Sequence, residues 1–577
     1  MAPNVEPDSG SAPIHLQWGL RIPLRDGVTL SATLYLPQRR AAPAPVIFTL
    51  TPYVGQRYHD EGIYFAERGY PFLTVDVRGR GNSGGEFVPY VHDAQDGYDI
   101  VEWLATQPYC NGKVAMWGAS YGGRDQWATA QEAPPHLAVI APAASPYMGV
   151  DVPFRGNIFT PYLMQWLTLV SGRTSQDNLF WNRELFWGAK FREWIESGQS
   201  FASLDGLLGN PSPVFQQWLS HPRQDAYWDS LNPTPTQYAR IDIPVLTITG
   251  IYDADQPGAL RHYREHLKAA SHQAREIHYL VIGPWDHGGT RMPRAEFAGL
   301  KAGPLSLVDL RRLHWQWYTW TLRGGPRPEF LKKKVAYYVM GAERWRYADT
   351  LEEITSHATP LYLHSTANPD DPFTSGSLRA TRPGSGGPDF YRYDPRDLSL
   401  AALESTVDPD SAANERLVFS SVGRQLVYHS EPFDTDTEIS GFFKFSAWLA
   451  IDQPDTDFRV AVYDVGRDGR GILMTHDLMR ARYRESLREE RLVKTRDPLQ
   501  YNFEGFLFVA RQIQRGHRLR LVFGPLHSIY SEKNYNSGGV VSHESMTDAR
   551  VVTVKLLHDE AHPSALFVPF GQPETGV

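Results

Sequence analysis

Val114-Ala115-Met116-Trp117-Gly118-Ala119-Ser120-Tyr121-Gly122-Gly123-Arg124 decides how this chain is read. A short apolar run suited to a buried parallel strand meets the pattern Gly-x-Ser-x-Gly, and a helix-compatible segment follows to Glu132. A serine on a strained strand-to-helix turn needs small neighbours, because larger side chains would crowd the turn. The same pattern recurs at Gly81-Asn82-Ser83-Gly84-Gly85, again after a strand-like run, but it leads into Glu86-Phe87-Val88-Pro89, which cannot open a helix cleanly. The pattern alone is weak and context decides. Ser120 is the candidate nucleophile, and Ser83 reads as a turn residue.

Outward from this stretch, the segments 46–50, 72–77 and 137–142 are further short apolar runs, and 93–106 places Ile100, Trp103 and Leu104 on one helical face. Segment 16–36 alternates around the turn Asp26-Gly27. Strands separated by helices imply a largely parallel sheet covered on both faces, so 1–150 reads as the first part of an α/β core. From 151 to 240 the strand signal gives way to irregular Trp, Phe, Leu and Gln, as in Met164-Gln165-Trp166-Leu167, which reads as a helical cap. The sheet resumes with β-rich runs at 243–250 and 277–283, so 241–331 is expected to be the second part of the core. A block inserted this way covers the carboxyl edge of the sheet, where ligands bind, and its aromatic residues, Trp166 among them, are expected to line a substrate pocket. Residues 332–577 alternate in short stretches such as Gly441-Phe442-Phe443-Lys444-Phe445, an all-β sandwich or jelly roll. Within it, 368–395 is rich in Pro, Gly, Ser and Asp and reads as a long loop or link.

Composition narrows the classes. The 577 residues are 42% hydrophobic and 21% charged, which supports large cores and excludes general disorder. With 57 Lys plus Arg against 65 Asp plus Glu, the net charge of −8 offers no basic field for nucleic acid. Cys110 is the only cysteine, so neither an intrachain disulfide nor a thiolate metal cluster is available, and a reducing compartment suits the chain. Residues 1–13 lack the basic start and apolar stretch of a secretory signal and read as a loose cytoplasmic tail. No window approaches the ~18 apolar residues of a membrane span. The expectation is a soluble cytoplasmic protein with no nucleic-acid or membrane partner; self-association is left open.

A serine hydroxyl is a weak nucleophile until a base takes its proton, and in this architecture the acid and base follow later in the chain. Asp253 lies just beyond the run ending at Gly250, and His287 just beyond the run ending at Gly283. Both therefore stand at strand carboxyl ends, Asp253 placed to orient and His287 to act as the base. Acyl transfer also needs donors for the developing oxyanion. The backbone N–H of Tyr121 supplies one, and Thr51-Pro52-Tyr53, after the strand at 46–50, is the region for the second.

These segments together resemble the serine hydrolase group of bacterial cocaine esterase, X-Pro dipeptidyl-peptidases and α-amino acid ester hydrolases. The marks are Asp76-Val77-Arg78-Gly79-Arg80-Gly81-Asn82-Ser83-Gly84-Gly85-Glu86, the Ser120 turn, His221-Pro222-Arg223-Gln224-Asp225-Ala226-Tyr227-Trp228 and Gly283-Pro284-Trp285-Asp286-His287. Asp455-Thr456-Asp457-Phe458 and Lys533-Asn534-Tyr535-Asn536-Ser537-Gly538-Gly539 extend the likeness into the last third. The resemblance implies an α/β-hydrolase core, a helical cap and a carboxy-terminal jelly roll, and it implies the Tyr53 hydroxyl as second oxyanion donor. Arg78, Asp76 and Asp225 read as structural.

Asp255 is the informative departure. The cocaine-hydrolysing member has an aromatic residue at this place, whereas α-amino acid ester hydrolases have an acidic residue there and another directly after it; here the pair is Asp255-Gln256. A carboxylate beside the acyl pocket attracts a protonated amine and opposes a bare aromatic group, which favours amino-bearing acyl substrates, with Asp151 reinforcing this or Arg155 cancelling it. The resulting expectation is a hydrolase free of cofactor and metal that cleaves an acyl ester or activated amide through an acyl-Ser120 intermediate. An X-Pro-type peptidase or amidase of the same group is the alternative, and a carbohydrate-binding protein on an inactive core the alternative of another class. A metal hydrolase using Asp253, Asp255, Asp286 and His287 is disfavoured by the lack of a close-spaced His pair.

Overall fold

A computed structural model describes residues 14–38, 42–355, 357–408 and 410–571. The amino-terminal segment 1–13, read above as a tail, lies outside the described residues. Ten strands form the first sheet: Ile14–Pro23 (β1), Thr29–Pro37 (β2), Ala44–Thr51 (β3), Phe72–Asp76 (β4), Cys110–Ala119 (β5), Leu137–Ala143 (β6), Val245–Tyr252 (β7), His278–Asp286 (β8), Val335–Val339 (β9) and Arg344–Ala348 (β10). Their spatial order is β1-β2-β4-β3-β5-β6-β7-β8-β9-β10. From β4 to β9 the neighbours run parallel, and antiparallel pairing at β1–β2, β2–β4 and β9–β10 finishes the two edges.

Successive side chains along a strand point to opposite faces, and the two packed layers follow from that. Val46, Phe48, Val114 and Met116 join one core with Ile100, Val101 and Leu104 of the helix Asp93–Ala105 and Trp127 of the helix Tyr121–Gln131. Their neighbours Ile47, Ala115 and Trp117 join the opposite core with Phe65 of the helix His59–Glu67 and Leu313, Trp317 and Tyr318 of the helix Leu310–Arg323. Both faces are covered, so the central strands are apolar throughout.

The chain between β6 and β7 folds mainly as short helices, including Tyr162–Leu169, Ala189–Ser197 and Pro213–Leu219. Their Trp166, Trp194 and Trp218 are continuous with the core of the first layer. Most remaining strands build an eleven-stranded sheet with its own core, in which Phe445, Phe458, Phe503 and Phe523 pack ring against ring. The sequence marks of this unit have a physical reason. Arg480 pairs with Asp457 (2.9 Å) and Glu532 (2.8 Å), Arg482 pairs with Asp455 (2.8 Å), and Asn534 Nδ2 donates to both aspartates. Buried charges are tolerated because each has partners of opposite sign and further hydrogen bonds.

Two expectations are corrected. The core sheet does not end at 331: β9 pairs parallel with β8 and β10 closes the edge, so strands assigned to the carboxy-terminal unit belong to the hydrolase sheet. The stretch 368–395 is not only loop, since Gly376–Arg379 and Asp389–Tyr393 are strands of the second sheet. Among the described residues, no helix is long and apolar enough to cross a membrane.

The helices Asp93–Ala105 and Tyr121–Gln131 approach most closely at Gly97, where an added Cβ would lie 1.9 Å from Thr129 Oγ1 and 2.9 Å from its Cβ. Rotating Thr129 cannot relieve the second contact. Gly97→Ala is therefore expected to destabilise the protein by about 1–3 kcal/mol through overpacking, read as a lower denaturant midpoint. An unchanged midpoint would show that the two helices separate freely.

Candidate active site

Ser120 stands at the junction of β5 and the helix Tyr121–Gln131 with φ +62° and ψ −124°, a conformation that non-glycine residues rarely adopt. Its N–H donates to the Ala143 carbonyl at the end of β6 (2.9 Å), and its own carbonyl accepts from Gly123 N (2.8 Å) and Arg124 N (3.0 Å). The turn aims the Ser120 side chain off the carboxyl edge of the sheet and points the first N–H groups of the helix the same way.

β7 and β8 are adjacent parallel strands, and the loops beyond them bring Asp253 and His287 together. Asp253 Oδ1 lies 2.8 Å from His287 Nδ1. The carboxylate is fully buried and receives Thr249 Oγ1 (2.9 Å) on Oδ2 and the Asp255 N–H (3.1 Å) on Oδ1. These bonds fix one orientation, so Nδ1 of the half-buried imidazole carries the proton and Nε2 is left as the acceptor. Among the described residues, no hydrogen bond yet joins His287 to Ser120; such contacts often tighten only when substrate arrives.

Tyr53 sits in the loop after β3, and Trp166 Nε1 donates to Tyr53 Oη at 3.0 Å. Burial pushes the phenol up to about 12, against the opposing effect of the Trp166 N–H, so the group keeps its proton at working pH. Tyr121 is anchored below by its own hydroxyl, which donates to Asp93 Oδ2 (2.9 Å) and accepts from Tyr90 N (2.9 Å). Its ring stacks on Tyr90 (4.6 Å, 21°), and Trp166 lies nearly parallel to both.

Asp255 Oδ2 lies 3.7 Å from His287 Nδ1. Burial, then Asp151 and Asp253, push its carboxyl well above the usual range, while Arg291, whose guanidinium donates to the His287 carbonyl, opposes the shift. Asp151 accepts from Tyr147 N (2.8 Å) and Gly258 N (2.5 Å), and burial raises it to about 7. Of the two options open for Asp151 and Arg155, the second is not met: Arg155 donates to the carbonyls of His476 (2.7 Å) and Gly505 (2.6 Å) in the carboxy-terminal unit. Gln256, the other half of the departure, is fully buried, donating to the Gly250 and Phe508 carbonyls and accepting from Phe508 N (2.6 Å). It joins the two units and is not free to meet substrate.

By distance, Asp253, Asp255 and His287 are near enough to share a cation. The donor set fits one poorly, since both Asp253 oxygens and His287 Nδ1 are already hydrogen-bonded to each other or to protein donors. Ser83 Oγ is fully buried, accepting from Ser31 N (2.8 Å) and donating to the Asp76 carbonyl (2.7 Å). Arg78 pairs with Asp96 and Asp26, and Asp225 caps the helix Ala226–Ser230 and holds His221. Sequence reasoning missed the contribution of Arg80, whose buried guanidinium donates to the carbonyls of Pro52 (2.7 Å), Val170 (2.7 Å) and Gly172. Its place in the quoted glycine-rich tract was the available signal.

A mostly parallel sheet, a helical cap and a serine on a strand-to-helix turn characterise a serine hydrolase of the α/β-hydrolase architecture. The family described as X-Pro dipeptidyl-peptidase (S15 family) matches residues 26–289, and the X-Pro dipeptidyl-peptidase C-terminal non-catalytic domain matches residues 330–547. A cocaine esterase of Rhodococcus sp. (strain MB1 Bresler) is 26% identical over 572 residues, covering 95% of this chain and 97% of that protein. The fold is shared with an α-amino acid ester hydrolase (TM-score 0.81, 21% identity, 99% of this chain and 100% of that one). It is shared equally with an aminopeptidase from a marine sediment Thaumarchaeota archaeon (TM-score 0.81, 19% identity, 99% and 98%). The chain is similar to the serine hydrolase group of X-Pro dipeptidyl-peptidases and cocaine esterase, in its catalytic part and in its carboxy-terminal unit. These matches support an ester-cleaving serine hydrolase, and an X-Pro peptidase fits them too.

Removing the Ser83 hydroxyl leaves a buried N–H at Ser31 without its acceptor. Ser83→Ala is expected to cost about 1–3 kcal/mol of stability while covalent labelling by a fluorophosphonate persists. Loss of labelling in a folded Ser83→Ala protein would move the nucleophile to the first glycine-rich tract.

Proposed function

We propose that Ser120 is the nucleophile, His287 the general base and Asp253 the group that orients it, in a hydrolase needing no cofactor. The observation that carries this reading is the 2.8 Å contact between Asp253 Oδ1 and His287 Nδ1 beyond consecutive strands, on the sheet edge that presents Ser120. His287 Nε2 takes the hydroxyl proton as Ser120 Oγ bonds to the acyl carbon. The carbonyl oxygen gains the electron pair and is met by the Tyr121 N–H and the Tyr53 O–H. Collapse expels the leaving group, which takes the proton from His287; water then repeats the sequence and frees the acid. A cytoplasmic setting fits the single, buried Cys110.

Ser120→Ala is expected to abolish turnover and fluorophosphonate labelling with the thermal midpoint preserved, and chelators are expected to leave the wild-type rate unchanged. Labelling that survives in Ser120→Ala overturns the assignment.

For the substrate we propose an acyl group bearing a free amine, with Asp255 as counter-charge. With its pKa raised, the Asp255 carboxyl holds a proton in the empty site to a higher pH than an ordinary aspartate. An arriving ammonium favours the ionised form, so binding releases that proton and improves as pH rises through the raised value. A second reading, an X-Pro peptidase, rests on the family match and uses the same amine contact. A panel of free-amine, N-acylated and plain aromatic acyl esters with an X-Pro anilide separates the two.

In that panel, Asp255→Asn is expected to lower kcat/KM for the free-amine ester by about 1.5–3 kcal/mol, the value of a charge-assisted hydrogen bond. The extra alkaline rise of that substrate disappears with it, and the deamino counterpart loses far less. Equal losses on both esters would make Asp255 a structural carboxyl.

A further inference from the structure

Trp166 was expected to line the pocket as a substrate contact, yet only 8% of it is exposed and its one polar atom is committed to Tyr53. An indole N–H can only donate, so Tyr53 Oη is the acceptor in this 3.0 Å bond. A phenol has a single proton. With one side of its oxygen occupied by the Trp166 donor, that proton points away from the indole. The N–H therefore narrows the rotations open to the phenol O–H.

We infer that Trp166 is a positioning residue for the reaction, holding the Tyr53 hydroxyl so that its proton is presented to the oxyanion. The inference rests on the proposed role of Tyr53. Trp166 is itself held by near-parallel rings, Tyr90 at 5.9 Å and Tyr121 at 6.0 Å, and Tyr121 carries the other oxyanion donor on its backbone. Both donors are thus referenced to one aromatic stack. The end of the cap helix Tyr162–Leu169 is fixed as well: Arg80 Nη1 donates to the Val170 and Gly172 carbonyls while its Nε donates to the Pro52 carbonyl. Ser175 Oγ, also in the cap, donates to the Tyr53 carbonyl at 2.8 Å. The cap thereby grips the Pro52-Tyr53 segment at its backbone and at its reacting hydroxyl, which makes it part of the machinery that stabilises the transition state as well as a cover over the site.

A double-mutant cycle tests this. Tyr53→Phe alone is expected to lower kcat about 10²–10³-fold with little change in KM, the usual effect of deleting an oxyanion donor. Trp166→Phe keeps a ring in the stack and removes the N–H; it is expected to lower kcat about 3- to 10-fold, the scale of one neutral hydrogen bond, with KM within about two-fold. In the Tyr53→Phe background the same change is expected to cost almost nothing, because there is no hydroxyl left to direct. An equal kcat loss in both backgrounds, or a change confined to KM, means that Trp166 acts through packing or substrate contact, and the inference falls while Tyr53 keeps its role. An unchanged kcat in Tyr53→Phe overturns the role of Tyr53 itself. Should Trp166→Phe fold poorly, benzothienylalanine at position 166 keeps the shape and replaces the N–H by sulfur. A fall in kcat with that residue supports the inference, and full activity overturns it.

Discussion

The backbone at Ser120 is the constraint on which the site depends. A positive φ at a serine costs about 1–3 kcal/mol, and it persists only where the surroundings leave no alternative. Here β5 is locked between β3 and β6, and the Ser120 N–H is tied to Ala143. A Cβ at Gly123 would come within 2.4 Å of the Ala143 carbonyl oxygen, so the helix can start this close to the sheet only with glycine there. The strain turns the Ser120 side chain away from the sheet and leaves the Tyr121 N–H pointing at the space in front of it. The deep anchoring of Tyr121 on Asp93 follows as support for that geometry, since a donor that drifts by an ångström loses most of its value to the transition state.

The loop after β7 performs three tasks within four residues. Asp253 holds His287 Nδ1, Asp255 lies beside the same ring, and Gln256 reaches across to Phe508 of the carboxy-terminal unit. Because the Gln256 amide both donates to and accepts from Phe508, any relative movement of the two units would break buried hydrogen bonds at a cost of about 1–3 kcal/mol for each group left unpaired. The second unit is therefore a brace for the segment that carries Asp253. The chemical departure at position 256 has the same origin: an amide offers both a donor and an acceptor to Phe508, whereas a carboxylate would leave the Gly250, Ile251 and Phe508 carbonyls facing a charge.

Most of the hydrolase sheet was legible because its central strands are apolar on both faces and end at glycines or turns, and Ser120, Asp253 and His287 each follow such a strand directly. What escaped was membership. Val335–Val339 is a short apolar run and Arg344–Ala348 a short strand that either unit could hold, and only the pairing of β9 with β8 and of β10 with β9 assigns them. Asp389–Tyr393 alternates buried and exposed residues over five positions, too few to stand out among flanking Pro and Gly. The roles of Trp166, Arg80 and Gln256 depend on partners 113, 28 and 252 residues away, and no local pattern reports them. Residue chemistry marks a donor, but which acceptor it meets is decided by the fold.

Asp253 and Asp255 crowd one imidazole and Asp151 adds to their repulsion, which under the proposed reading decides what the pocket offers a substrate. Asp253 is supplied with donors and a histidine partner, and Asp151 with two backbone N–H groups; Asp255 has the least compensation and is the one on which burial and repulsion fall hardest. When it keeps its proton, the wall beside the acyl group is neutral and can donate a hydrogen bond, which suits an uncharged acyl chain. When it is ionised, the same wall is an anion whose charge is tolerable only beside a cation. In the proposed reading, choice between acyl groups then follows from proton exchange at a single carboxyl and needs no rebuilding of the pocket. Arg291, bound to the His287 carbonyl, opposes the rise at Asp255, while burial and the neighbouring aspartates outweigh it. A cation in this position favours the charged form of Asp255 and lowers the pKa of the Tyr53 phenol, so in the proposed mechanism acyl recognition and transition-state stabilisation draw on the same electrostatic field.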